Sequence, residues 1–331
     1  MKLALIVVGV IILALGAAEV ALRLFFGFGK PPLYVADAQT GYRLAPNQRT
    51  KRFGNVFEIN QYSMRGGAIA PKPETDTLRI LLVGDSIANG GWWTDQSEIV
   101  SLQLQQQLTD ASLGQYARAE VLNASANSWG PRNELAYIAK FGTFEAQVVV
   151  LLLNTDDLFA TAPTSVQVGR DRAYPKRYPP LALAEVLGRL IKAPPIPELA
   201  AIQQEGGDRV GVNLEAVRQL QHLTQQADSR LIMVMTPLLR EVQPPGSRDY
   251  EMVARQRVTQ FAEFEQIPYI DFLADFQAAS DPDALYRDHI HLSPQGYALV
   301  SQALSAAISQ TLYKSDIPEK RLPDSLLEDP W

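Results

Sequence analysis

Six consecutive apolar residues, Val148 to Leu153 in the run QVVVLLL, set the strongest limit on what this chain can fold into. A strand with one wet face alternates apolar and polar residues. A strand apolar on both faces must be covered on both, as in a parallel sheet between helical layers. Shorter apolar runs stand at 79–83 (RILLV), 120–124 (EVLNA), 230–235 (RLIMVM) and 267–272 (IPYIDF). Helical periodicity fills the spaces between them. In 247–265, Tyr250, Val253, Val258, Phe261 and Phe264 recur at helical spacing, and in 294–313 Tyr297, Val300, Leu304, Ile308 and Leu312 make one stripe. Strands alternating with helices of this length predict an α/β fold with a five-stranded, mostly parallel, doubly wound sheet.

The amino terminus obeys a different rule. Leu3 to Ala18 is entirely apolar or glycine, and the run resumes through Val20–Leu22 and Leu24–Phe26. About 24 helical residues at ~1.5 Å each match the ~30 Å hydrocarbon layer, so 1–28 reads as a transmembrane anchor. Glu19 and Arg23 interrupt it at i, i+4 and can pair on one helix face near an interface. A cleaved signal peptide is the rival reading, given the small residues Ala14, Gly16 and Ala18, but apolar residues continuing past Glu19 favour a retained helix. Lys2 favours a cytoplasmic amino terminus and an exported, periplasmic body; Arg23, Lys30 and Arg43 on the other flank argue the opposite way.

The remaining chain divides into a loop-rich connector at 29–76, a catalytic body at 77–313 with an insertion at 158–211, and a charged, proline-punctuated tail at 314–331. The insertion is too long for a plain connection and predicts a partly helical flap over one end of the sheet. A net charge of −6 over 331 residues leaves no basic stripe for nucleic acid. The absence of cysteine removes thiolate chemistry and disulfides, and His222, His289 and His291 are the only imidazoles.

In open α/β sheets ligands bind beyond the carboxyl ends of the strands. The residues following each apolar run therefore matter most. They are Gly84-Asp85-Ser86, Asn123 to Gly130 (NASANSWG), Asn154-Thr155-Asp156-Asp157, and YRDHIHLSPQG with Asp288, His289 and His291. Each alone has a plain structural reading, since Asp, Asn and Ser make turns and helix caps. Ser293 before Pro294 also reads as a cap, and His222 as an ordinary helix-surface residue. Together they place a hydroxyl, an imidazole and a carboxylate at one edge, the set needed for acyl transfer. Serine is a weak nucleophile until an imidazole accepts its proton, and a carboxylate fixes that imidazole's tautomer. Asp288 and His291, three apart in a turn, can share one side; His289 points elsewhere. Ser86 at a strand-to-helix turn also offers its N–H to a developing oxyanion.

Here the chain resembles the SGNH (GDSL-type) hydrolases, with GDS after the first strand and DHIH about 200 residues later. FEINQYSMRG ahead of LRILLVGDS, behind an apolar amino-terminal helix, is similar to the membrane-anchored bacterial type. The resemblance implies a three-layer, flavodoxin-like fold, Ser86 as nucleophile, Asp288 and His291 completing the triad, and no metal or organic cofactor. Two blocks depart from the family pattern. Ser125 or Ser128 stands where a glycine N–H would serve the oxyanion, and Asp156 stands where an asparagine amide would. A carboxylate there repels the oxyanion, at about 3–4 kcal/mol if nothing replaces the amide. Asn154, two residues back on the same face, is the expected substitute donor, with a protonated Asp156 or Asn127 as alternatives. Substrate contacts are expected from Asn89, Asn127 and the insertion's Tyr174 and Tyr178, near Arg170, Arg172, Lys176 and Arg177.

The functional expectation is a serine esterase working through an acyl-enzyme on an ester-bearing cell-envelope glycan or lipid. An O-acyltransferase would use the same residues and deliver the acyl group to a sugar hydroxyl. A non-catalytic binding or assembly protein, and a hydrolase using Mg²⁺ or Mn²⁺ on Asp85, Asp156, Asp157, Asp288 and His291, complete the alternatives.

Overall fold

The computed structural model describes residues 1–111 and 113–313; the predicted tail at 314–331 lies outside the described residues. Helix α1 (Lys2–Phe26) leads into two antiparallel hairpins, β1 (Tyr34–Asp37) with β2 (Gly41–Leu44) and β3 (Gln48–Arg52) with β4 (Asn55–Ile59). The body then runs β5 (Thr77–Gly84), α2 (Val100–Asp110), β6 (Arg118–Ser125), α3 (Pro131–Phe141), β7 (Val148–Asn154), α4 (Ala182–Leu190), α5 (Arg209–Gln226), β8 (Arg230–Thr236), α6 (Asp249–Phe264), β9 (Tyr269–Asp271) and α7 (Pro294–Tyr313), with short helical turns between.

The five body strands form one parallel sheet in the order β6-β5-β7-β8-β9. Counted from the first body strand this is the order two, one, three, four, five, the doubly wound flavodoxin-like arrangement. All eight residues of β5 and all seven of β7 are buried, so both strands are apolar on both faces along most of their length, and the polar Arg79 of β5 is buried against Glu120 at 2.7 Å. One side of the sheet packs on α2 and α7 through Leu104, Leu108, Tyr297, Val300 and Leu304. The other packs on α3, α5 and α6 through Tyr137, Val217, Leu220 and Val258.

The hairpins are part of this second core layer. Tyr34, Tyr42, Leu44, Phe57 and Ile59 sit in one apolar cluster with Val83, Leu122 and Leu151 of the sheet. Residues 29–76, read from sequence as loop-rich, thus hold two hairpins packed on the body. In the insertion, α4 docks on the end of α1. The Glu19 carboxylate accepts from the Ala182 and Leu183 N–H groups at 2.8 and 2.9 Å, capping α4 from outside its own segment. Arg23 Nε donates to Glu19 at 2.7 Å, and its Nη2 donates to the Pro180 carbonyl at 3.1 Å. The two charges that interrupt the apolar run are joints between α1 and the insertion. α1 is long and apolar enough to cross a membrane.

Candidate active site

The sheet reverses its winding between β6 and β7, so the carboxyl end of β5 opens into a crevice. β5 ends at Gly84, where any Cβ would meet the Leu152 carbonyl oxygen at 2.6 Å, so only glycine fits. Asp85 caps the short helix Ser86–Asn89 by accepting from the Ile87 N–H at 2.7 Å. This turn puts Ser86 at the first helical position, its side chain directed along the crevice.

The opposite wall is the turn before α7. An antiparallel bridge between Tyr286 and Leu292 closes it, and the Arg287 N–H donates to the His291 carbonyl at 2.8 Å. The Leu239 N–H, after β8, donates to the His289 carbonyl at 3.0 Å, and Ser293 starts α7. Within this clamp His291 Nε2 lies 3.1 Å from Ser86 Oγ, and Nδ1 lies 3.0 and 2.9 Å from the two Asp288 oxygens. Burial raises the Asp288 carboxyl, but the His291 N–H, the imidazole and the Ile290 N–H outweigh it and hold the group down at about 2. Such a depressed group favours folding above the ordinary carboxylate range and loses that contribution as pH falls through about 2, so Asp288 is an anion throughout the neutral range. The edge of Trp93 packs against the imidazole with ring centroids 4.7 Å apart, and the Arg287 guanidinium lies over Trp93.

The other expected residues fall in different places. His289 is exposed with its Nδ1 3.9 Å from Asp288, and His222 is an exposed α5 residue beside Gln226. Asn154 does not face the crevice as a free amide. It is 1 % exposed and donates to Asp85 at 3.0 Å and Asp157 at 2.8 Å, while its oxygen caps Asp156. Asp156 is exposed, its carboxyl raised by partial burial and by Glu251 and Glu241 against the opposing Arg240. Asp85, Asp156, Asp157, Asp288 and His291 form no group of three that could hold a metal ion among the described residues. Asn89 is fully buried and donates to Ser125 Oγ at 3.2 Å, so it holds the crevice floor rather than lining it.

Ser128 has φ of +58°, a left-handed conformation in which glycine is at ease, and its N–H has no backbone acceptor among the described residues. Tyr174 donates its hydroxyl to Ser128 Oγ at 2.9 Å and packs on Tyr34 and Tyr42. A cleft of about 1020 Å³ adjoins the crevice, lined by Trp92, Trp93, Asn127, Lys176, Arg177 and Tyr178 among others. Trp92 and Trp93 went unread in the sequence, although two tryptophans directly after the glycines that follow the short helix are a visible signal. Arg52 lines the same cleft and pairs with Glu185 of α4 at 2.7 Å.

Behind Ser86 lie three buried carboxyls, Asp85, Glu134 and Asp157. Burial pushes all three up, and the proximity of Asp85 raises Glu134 and Asp157 further. Neither Glu134 oxygen has a hydrogen-bond partner among the described residues. An acid raised on folding binds more protons native than unfolded, so stability falls as pH climbs above the ordinary carboxyl range. Glu134→Met is therefore expected to stabilise the protein by about 1–3 kcal/mol near pH 8. The gain should shrink near pH 5, as urea unfolding at the two pH values will read; a loss at pH 8 would contradict this account.

Residues 82–299 match the GDSL-like lipase/acylhydrolase family. No curated protein matches the chain. Similar solved structures include an alpha/beta hydrolase enzyme from the metagenome of Lake Arreo, Spain, at 13% identity over 71% of this chain and 95% of that one, with a TM-score of 0.47. An acetyl xylan esterase matches at 14% identity over 70% and 99%, with a TM-score of 0.47. A lipase/acylhydrolase from Enterococcus faecalis matches at 15% identity over 70% and 96%, with a TM-score of 0.46. With the match spanning most of the body, from within β5 into α7, the chain belongs to the GDSL-like lipase/acylhydrolase family and is a hydrolase of acyl esters.

Proposed function

We propose that this is a membrane-anchored serine esterase in which Ser86 is the nucleophile, His291 the general base and acid, and Asp288 the group that orients and stabilises the imidazolium. The observation that carries the reading is the unbroken Asp288–His291–Ser86 hydrogen-bond line at the carboxyl edge of β5. His291 Nε2 takes the Ser86 proton as Oγ attacks the ester carbonyl, then returns it to the departing alcohol. His291 next takes a proton from the water that attacks the acyl-enzyme, and returns it to Ser86 Oγ as the acid product leaves.

With the Asn154 amide engaged by two carboxyls, the oxyanion falls to backbone donors. These are the Ser86 N–H at the start of its helix and the Ser128 N–H across the crevice. The left-handed φ at Ser128 supports this, because it reproduces the conformation a glycine would supply there. Tyr174 then holds the Ser128 loop, while Asn127 and Tyr178 line the substrate cleft. α1 is read as the anchor, with the body on the periplasmic side. The substrate is an ester on an envelope lipid or glycan.

A fluorophosphonate probe tests the reading on the full chain. Labelling is expected on the peptide carrying Ser86, unchanged by EDTA, with loss of esterase activity in proportion to label. Absence of label on that peptide while ester turnover persists would overturn it.

A further inference from the structure

An uninterrupted row of aromatic rings connects the end of α1 to the imidazole of His291. Phe26 lies 5.7 Å from Phe53 between centroids, Phe53 lies 5.6 Å from Trp92, and Trp92 lies 5.7 Å from Trp93. Trp93 is the ring against His291. α1 has 25 residues, about 37 Å at ~1.5 Å each, against ~30 Å of hydrocarbon and ~40–45 Å including headgroups. Its last turn therefore reaches the headgroup layer.

At that level α4 lies alongside, held by Glu19, by Arg23, and by Glu185, which accepts from the Gly29 N–H at 2.7 Å. The polar groups of the two segments face each other, and the outward faces are apolar. Leu24 and Phe25 of α1, Phe53 of the β3–β4 turn, and Leu187, Leu190 and Ile191 at the end of α4 are all exposed, Leu190 at 79%. Lys51, Arg189 and Lys192 stand among them, exposed. A soluble surface does not keep such a patch bare, and apolar side chains ringed by cations suit the boundary between acyl chains and anionic headgroups.

We infer that the end of α1, the Phe53 turn and α4 form a membrane-docking face seated in an anionic phospholipid surface. This face sets the mouth of the cleft in the headgroup layer, so that esters held in the bilayer reach Ser86 along the Phe53–Trp92–Trp93 row. The inference rests on the anchor and esterase readings above. α4 is then an interfacial helix locked to the anchor, and the cleft draws its substrate from the membrane side rather than from bulk water.

The chain has no cysteine, so single probes can be placed freely. Full-length Phe53→Cys, Leu190→Cys and Gln225→Cys, each carrying an environment-sensitive fluorophore, are reconstituted into vesicles of phosphatidylcholine and phosphatidylglycerol. Gln225 is exposed near the end of α5, at the opposite edge of the sheet. Blue-shifted emission at positions 53 and 190, quenched by nitroxide-bearing lipid, with neither effect at 225, is the expected result. Water-like emission at 53 and 190 in chains that float with the vesicles overturns the docking face alone. Failure to float overturns the anchor and the docking face together. A blue shift without lipid quenching means a second copy covers the face, and also overturns it. A second measurement uses Leu187→Glu/Leu190→Glu. Turnover of a vesicle-embedded long-chain ester should fall roughly tenfold or more, with turnover of a soluble acetyl ester unchanged. Equal loss on both substrates, or none on either, contradicts the inference. No turnover of either substrate by the unmodified chain defeats the esterase reading, while the probe depths still decide the docking face.

Discussion

Ser86→Ala should lower kcat/KM on a soluble acetyl ester by about 10⁴-fold or more, with the urea midpoint little changed. The hydroxyl has two polar neighbours, His291 Nε2 at 3.1 Å and the Asp85 carboxylate at 3.2 Å, so the fold loses little with it. In the proposed mechanism, chemistry loses its attacking atom. Asp288→Asn should cost a similar factor for a different reason. An amide brings no negative charge to the imidazolium, and its NH₂ can hold Nδ1 as acceptor, leaving Nε2 protonated and unable to take the Ser86 proton. The sharper expectation concerns the double variant. Residues that act as one unit are strongly non-additive, so Ser86→Ala/Asp288→Asn should be no slower than Ser86→Ala alone. Losses that multiply would mean that Asp288 acts separately from Ser86, and a Ser86→Ala protein within tenfold of the parent would remove the nucleophile altogether. Steady-state rates on the four proteins decide both points.

How far the sequence disclosed this molecule depended on whether burial left an apolar trace. The doubly buried strands β5 and β7 announced themselves because both faces had to be hydrophobic, and the sheet followed from their spacing. β3 could not be read in that way. Its sequence, QRTKR, is wholly polar, yet Gln48, Thr50 and Arg52 alternate inward and are buried. Each of the three satisfies backbone rather than filling apolar space: Gln48 bonds the Leu33 and Ala45 carbonyls, Thr50 the Lys30 carbonyl and Arg52 the Gly27 carbonyl. A hairpin built on such contacts has strand periodicity but no hydrophobic signal. The line through Ser86, His291 and Asp288 was legible because the order of elements fixes which loops meet at one edge. Asn154 was misplaced for a reason periodicity does not encode. The residue sits at the strand end as expected, but the buried acids Asp85 and Asp157 compete for its amide and win. The docking of Glu19 on α4 was equally hidden, since it joins positions 163 apart in the chain.

Arg65, quoted in YSMRG but assigned no role from sequence, is expected to be the most costly single residue to replace. The residue is 2% exposed, and its guanidinium lies over the Phe57 ring at 4.1 Å. It donates to four carbonyls and one side-chain oxygen: Gly91 at 2.6 Å, Thr94 at 3.0 Å, Asn89 and Val56 at 3.2 Å, and Gln96 Oε1 at 2.7 Å. Four of those acceptors belong to the loop 89–96 that carries Trp92 and Trp93, so one side chain gathers the loop that braces His291. Arg65→Met keeps the apolar stem and strands the acceptors, each buried orphan costing about 1–3 kcal/mol. Partial rehydration of the loop offsets some of this, leaving an expected loss of about 3–5 kcal/mol by urea unfolding. Lysine is no remedy, because a compact ammonium with three donors cannot span five acceptors arranged around a planar fork. Arg65→Lys should therefore recover less than half of the loss. Under conditions where it remains folded, its kcat should fall while the Ser86 hydroxyl stays in place, because Trp93 no longer holds the imidazole from the side. A destabilisation below about 1 kcal/mol for Arg65→Met would show that the loop keeps its course without the guanidinium, and that His291 is positioned by its own turn alone.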